Sequence, residues 1–380
     1  MKYCELMFEK NATDGKNDKR IKKRLSFVNG RFYYRIQTDI FSGDHIYEII
    51  GVINYIWRTY NQRIPITFEL GSFEFYDKLV YIILESLCYY LIAEKSQSIE
   101  VRFFAKHTIW SEGIRYSPLL NTRDKDGFIR KYNSDLSMHH FRRLVPRKEE
   151  RDEKYLSKLM QEISCFLQNN ATGEDACDQL SEALVELVGN AGEHGDAESI
   201  IDIDITTDYG KESDEEDNSY YGMNAVVLNY SPILFHEPLM NKLDNDDILS
   251  ERYQLVRDAR DYHMEHLQEN YSKDDFYTIS SFQHKVSGSI DKDELGGTGL
   301  TCLLQSLEEN SDTHLCYMLS GNRILFLEKD FMFHDDNNLV GFNKSRDYLT
   351  DIPDACLLST IRTHVPGVAY NLNYAIKKEW

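Results

Sequence analysis

The sequence predicts an α/β protein of two domains, and three patterns predict it. Strand, helix and strand alternate before residue 146. A helix with a leucine-lined side runs from Asp178 to Gly195. A glycine cluster, Gly296 to Gly299, opens a further helix.

Composition bounds the class. At 380 residues the chain can bury two cores, and 42% hydrophobic with 28% charged residues places it among globular proteins. The formal net charge of −20 opposes nonspecific binding to nucleic acid or to an anionic membrane. No apolar run approaches the roughly 20 residues that span a bilayer, and Met1 to Lys10 lacks a signal-peptide layout. The 7 cysteines form no CxxC pair, so they read as reduced, mostly buried thiols of a cytoplasmic protein.

Lys16 to Arg24, KNDKRIKKR, reads as a solvated basic loop, with a docking arm for a polyanion as the alternative. RFYYRIQTDI from Arg31 predicts a strand, HIYEIIGVINYIWRTY a helix and PITFEL a short buried strand. YDKLVYIILESLCYYLIAEK predicts a second helix and IEVRFFAK a third strand. This βαβ spacing predicts a small α/β domain over 1–146, without a catalytic set and suited to regulation or partner binding. Its aromatic residues, among them Phe32, Tyr34 and Tyr55, are expected in the core or an interface. In MHHFRRLVP, His140 has the look of a phosphoacceptor, but it lies too close to Asn190 for a two-helix hairpin to intervene. A basic interdomain linker is the expectation there.

In the second half, Tyr155, Leu159, Ile163, Phe166 and Leu167 mark one helix. On the next, Leu180, Leu184, Leu187, Val188 and Ala191 share one side, while Glu182, Glu186, Asn190 and Glu193 share the other. Glu186 and Asn190 project together, one turn apart. A carboxylate and an amide oxygen so placed suit magnesium, or the carboxylate can serve as a general base. An ordinary solvated acidic face is the plain alternative. Ile201, Ile203 and Ile205 alternate with Asp202, Asp204 and Thr206, which predicts a strand with one face on the core. KESDEEDN, 211–218, reads as an exposed hairpin loop, and Tyr220 to Tyr230 as the next strand. Residues 236–295 form a long polar stretch, with one or two helices over 246–270 and a flexible approach to Gly296, and His263 and His266 read as surface histidines. Glycines at 296, 297 and 299 precede Leu300, Leu303, Leu304 and Leu307, so backbone N–H groups at that helix start offer an anion site. A hairpin about Gly321-Asn322 and a last strand from Pro366 complete the pattern.

ELVGNAGEHG followed by GGTGLT resembles the asparagine box and second glycine box of the GHKL superfamily. That superfamily groups the ATP-binding domains of gyrase, ninety-kilodalton heat-shock chaperones, histidine kinases and mismatch-repair ATPases. The local likeness is nearest to anti-sigma-factor kinases and histidine kinases, and it covers roughly Glu150 to Trp380. The resemblance implies a Bergerat-type α/β sandwich over 147–380, with helices on one face of a mixed sheet. It implies ATP with Mg2+: Asn190 as the metal ligand, Glu186 as general base and possible second ligand, and Gly297 and Gly299 beside the phosphates. Glu193, Gly296, Thr298, Leu300 and Thr301 would complete the nucleotide contacts. The resemblance also makes 236–295 a lid, loop-like without ligand. The chain departs from the family where Asn229, followed by Tyr230, Ser231 and Pro232, replaces the adenine-binding aspartate and its glycines. The expectation is a nucleotide switch coupled to a protein partner, with a homodimer as one form of assembly. A protein serine kinase or a non-catalytic module are the alternatives.

Overall fold

Period-two runs rich in β-branched and aromatic residues, separated by longer apolar-faced runs, build two five-stranded sheets with helices between and beyond them. The computed structural model describes residues 2–12, 15, 17–60, 64–106, 112–122, 124–170, 174–195, 197–209, 220–245, 251–286, 299–311 and 315–378.

The first half contains helices α1 (Glu5–Lys10) and α2 (Asp18–Arg24), strands β1 (Leu25–Val28), β2 (Arg31–Arg35) and β3 (Ile40–Phe41), and helix α3 (Gly43–Tyr60). Strand β4 (Ile66–Phe75), helix α4 (Lys78–Tyr89) and strand β5 (Ile99–Ala105) follow, then the short helices α5 (Glu112–Arg115), α6 (Pro118–Asn121) and α7 (Lys125–Tyr132). Strands β2, β4 and β5 run parallel, so both expected βαβ crossovers are present; β1 adds antiparallel to β2, which makes this sheet mixed. The basic run at 16–24 is a helix from Asp18, not a loop. Ile21 is buried, and Arg24 holds Glu48 at 2.5 Å.

The second half adds β6 (His140–Val145), α8 (Tyr155–Asn170), α9 (Glu174–Gly195), β7 (Ser199–Tyr209) and β8 (Tyr220–Asn229). After these come α10 (Glu237–Asn245), α11 (Glu251–Glu265), α12 (Lys273–Ser280), α13 (Gly299–Asn310), β9 (Tyr317–Phe326) and β10 (Leu358–Lys377). The sheet order is β6-β7-β8-β10-β9, antiparallel throughout rather than mixed. The stretch expected to be an interdomain linker is its edge strand β6, so the second sheet reaches across the boundary at 146. Gly321 does not turn a hairpin. With φ +62 it sits at a bulge inside one continuous strand, and β10 begins eight residues before Pro366. The acidic 211–218 stretch lies outside the described residues.

Helices cover both faces of this sheet instead of one. Ile201, Ile203, Ile205, Ala225 and Val227 meet α8, α9 and α13. On the reverse face Ile200, Val226, Leu228, Leu319 and Ala369 meet α3 and α4, which themselves carry the first sheet. Every residue of α4 is buried as a result. The layers therefore run sheet, helices, sheet, helices, with two cores meeting at the second sheet.

The reverse face also buries charge. Asp202 and Asp204 alternate with the isoleucines as expected, yet both are fully buried instead of facing water. Lys78 from α4 lies 2.7 Å from Asp202 Oδ1 and 2.9 Å from Asp204 Oδ2. Its ammonium also donates to the Asn224 carbonyl at 3.2 Å. Arg142 Nε donates to Asp202 Oδ2, and its Nη1 lies 2.7 Å from Glu85 Oε2 on α4. Burial alone would raise the Asp202 carboxyl. Arg142, Lys78 and His140 outweigh it and hold that carboxyl well below the usual range.

Among the described residues of 236–286, the helices α10, α11 and α12 make up most of the stretch. Tyr253, Val256, Phe276, Tyr277 and Ile279 of α11 and α12 are core residues, and α12 starts with a Ser272/Asp275 capping box that Arg323 clamps at 2.6 Å. His263 is buried rather than superficial: Nε2 donates to the Tyr348 carbonyl at 2.8 Å, and Nδ1 accepts from the Tyr271 hydroxyl at 2.6 Å. His266 is exposed. The cysteines are all free; Cys4, Cys88, Cys177 and Cys316 are buried, while Cys165 and Cys356 are exposed.

Removing one partner of a buried ion pair strands the other charge. Lys78→Met is expected to cost about 3–5 kcal/mol in urea unfolding. Because the Asp202 pKa is depressed on folding, its contribution is complete above about pH 4 and is lost as pH falls further. Acid titration of stability should show a shallower loss below about pH 4 in Asp202→Asn than in the wild type.

Candidate functional site

Helix α9 divides as its sequence pattern requires. Leu180, Leu184, Leu187 and Val188 are buried, Glu182 is exposed, and Glu186 and Asn190 are half-buried. The half-buried side meets the start of α13. A methyl group added to Gly299 would lie 1.7 Å from Glu186 Cγ, 2.3 Å from Cδ and 2.4 Å from Oε1. No side chain fits there while Glu186 keeps this conformation, so the glycine is what lets the Glu186 side chain lie on the first residue of α13. The structure thereby joins two segments more than a hundred residues apart in sequence.

Around this contact, Thr301 is buried, with Oγ1 3.3 Å from His284 Nδ1. Burial lowers the His284 pKa, and the neighbouring positive charge of Arg252, Lys285 and His334 lowers it further. Cys302 is pushed the other way, upward, by burial and then by the carboxylates of Glu182 and Glu186. The first turn of α13 thus meets the Glu186 side chain at Gly299 and the His284 ring at Thr301. Leu300 packs partly against the core. His284 and Arg252 carry no sequence signal: both lie in the polar 236–295 stretch, where no local pattern singles them out. Gly296, Gly297, Thr298 and the Glu193 side chain lie outside the described residues.

Asn229 ends β8 between Ser199 of β7 and Val368 of β10. Strand alternation puts it on the face of Ala225 and Val227, the same face that α9 covers. It is 2% exposed, and its Nδ2 donates to the Glu198 carbonyl at 3.4 Å. The glycine beside it comes from another strand: a methyl group on Gly367, φ +83, would lie 2.3 Å from the Asn229 carbonyl oxygen and 3.0 Å from Oδ1. β10 therefore supplies a close backbone approach beside Asn229.

Metal-binding donors can be sought on both faces. On the reverse face, ligand atoms of His140, Asp202 and Asp204 lie within 4.8 Å of one another. The Lys78 ammonium already stands between the two carboxylates. His140 Nδ1 accepts from Leu136 N–H at 3.0 Å and Nε2 lies 3.1 Å from Asp202 Oδ2, so its ring is committed and buried, unlike a phosphoacceptor histidine. On the helix face, the Glu186 carboxylate and Asn190 amide offer hard oxygen donors of the kind magnesium takes.

No family model, curated protein or solved structure matches the chain.

Gly299→Ala must displace the Glu186 side chain or separate α9 from α13. Overpacking of this kind costs about 1–3 kcal/mol, measurable as a lowered midpoint in urea. Gly299→Ala combined with Glu186→Ala should recover much of that loss, because the second change removes the atoms in conflict.

Proposed function

We propose that the α9–α13 contact is a magnesium-dependent ATP site and that the protein is a slowly hydrolysing GHKL-type switch whose nucleotide state is sensed by a protein partner. The observation that carries this reading is Glu186 lying on Gly299: it brings the carboxylate–amide pair to a helix start whose Thr301 meets His284. Glu186 would take the proton of an attacking water, and the α13 backbone with Thr301 would hold phosphate oxygens. Asn190, with Glu186, would hold the magnesium, which when bound neutralises phosphate charge. Asn229, on the same sheet face, would offer its amide to the base.

A non-catalytic interaction module with this fold is the second reading. It is favoured by Asn229, whose amide donates to the Glu198 carbonyl and which lacks the charge of the family's aspartate. A protein serine kinase keeps the same site, with a substrate hydroxyl in place of water.

Calorimetric titration with ATP and Mg2+ tests these together. Wild type should bind, and Asn190→Ala should bind at least about tenfold more weakly, in line with the loss of one charge-assisted ligand. Glu186→Ala should still bind but lose hydrolysis by about 100-fold or more. Absence of binding by the wild type leaves only the non-catalytic module. Transfer of the γ-phosphate to a co-expressed protein would favour the kinase.

A further inference from the structure

A crevice of about 470 Å³ opens where the first turns of α3 and α4 meet β9 and the bulged part of β10. It lies between the two sheets, on the opposite face of the second sheet from Glu186. It also sits beyond the carboxyl ends of the parallel strands β3 and β4, the edge where open α/β sheets receive ligands. Its volume falls within the range of small-molecule sites, and Leu79, Ile83, Leu319, Phe326 and Val365 give it apolar walls.

The buried charged group in those walls is Asp77, 8% exposed. Its Oδ1 accepts from Val80 N–H at 2.8 Å, capping α4, and its Oδ2 accepts from the Tyr317 hydroxyl at 2.6 Å. Burial nonetheless raises its carboxyl above the usual range, so these donors undercompensate the charge. Asp44, in the first turn of α3, lies at the rim. The rim cation, Arg362, has its guanidinium 4.2 Å over the Tyr47 ring. The positive ends of both helices are thus already taken by the chain's own carboxylates, and the charge left uncompensated at Asp77 disfavours an anionic ligand and favours a cation with an apolar body.

We propose that this crevice binds an organic primary amine, its ammonium directed at Asp77 and Asp44 and an aromatic body lodged against Leu79, Ile83, Leu319 and Phe326. Such a ligand would bridge the two halves of the chain, touching α3 and α4 on one side and β9 and β10 on the other. The proposal is independent of the nucleotide reading, and either can fail alone.

Titration calorimetry of the 380-residue chain at neutral pH with 2-phenylethylamine, 2-phenylethanol and 3-phenylpropionate is the test. The amine is expected to bind one site about tenfold more tightly than the alcohol, since a hydrogen bond between charged groups exceeds a neutral one by about that factor. The propionate should not bind. In Asp77→Asn, whose amide oxygen can still cap α4, the amine should fall to the affinity of the alcohol. No saturable amine binding by the wild type, equal affinity for amine and alcohol, or undiminished binding by Asp77→Asn overturns the proposal. Should Asp77→Asn fail to fold by circular dichroism, Ile361→Trp, at the partly exposed rim, decides instead: it should abolish amine binding, and retained affinity overturns the proposal.

Discussion

Lys78 sits where four layers must agree. It opens a helix buried along its whole length, and its ammonium divides two carboxylates on a strand of the second sheet. A charge this deeply buried persists only when geometry and partners are both supplied. α4 cannot rotate or slide against β7 without stranding Lys78, Asp202 and Asp204 together. An apolar interface of the same shape would tolerate small slips; this one tolerates few. The first half of the chain is consequently less a detachable regulator than a second wall of the same building, and any signal passing between the halves has to be carried without separating them.

That constraint gives the second sheet two different chemistries. One face holds buried ion pairs that fix the layers. The other holds the acidic side of α9 against the first turn of α13. The strands between them are shared: Asp202 and Asp204 point one way, while Ile201, Ile203 and Ile205 point the other. A substitution on either face therefore reaches the other through only one layer of backbone, so effects on stability and on the α9–α13 site need to be measured separately.

Much of this was legible in the sequence, for a physical reason. The βαβ units, the two faces of α9 and the start of α13 are set by local periodicity and by glycine. What was not legible is what packs on what. Asp202 and Asp204 have the spacing of a solvated strand face, and nothing near them in sequence announces a lysine from residue 78. The available hint was Lys78 itself, a charge opening an otherwise apolar helix. Likewise the basic look of MHHFRRLVP concealed a strand, because Arg142 finds its partners on β7 and α4 rather than in water. His263 has the spacing of a surface histidine for the same reason: its partners, Tyr271 and Tyr348, are recruited by tertiary packing. Of the site, Glu186 and Gly299 could be paired only through a family resemblance; their contact is a matter of two helices whose approach no local rule predicts.

The order of strands in the second sheet bears on how the chain is made. β10, the last described strand in sequence, lies between β8 and β9, pairing with both along a twenty-residue run. While residues 358–377 are still inside the ribosome, β8 has an open edge and β9 has no neighbour among the described strands. Helices α3 and α4 meanwhile lack much of the surface they are meant to cover. The parallel βαβ half emerges early but leaves its helix layer half naked, a state prone to sticking. Topologies dominated by such distant pairings close slowly. The newborn chain is therefore expected to depend on chaperone shelter until its final strand threads the middle of the sheet.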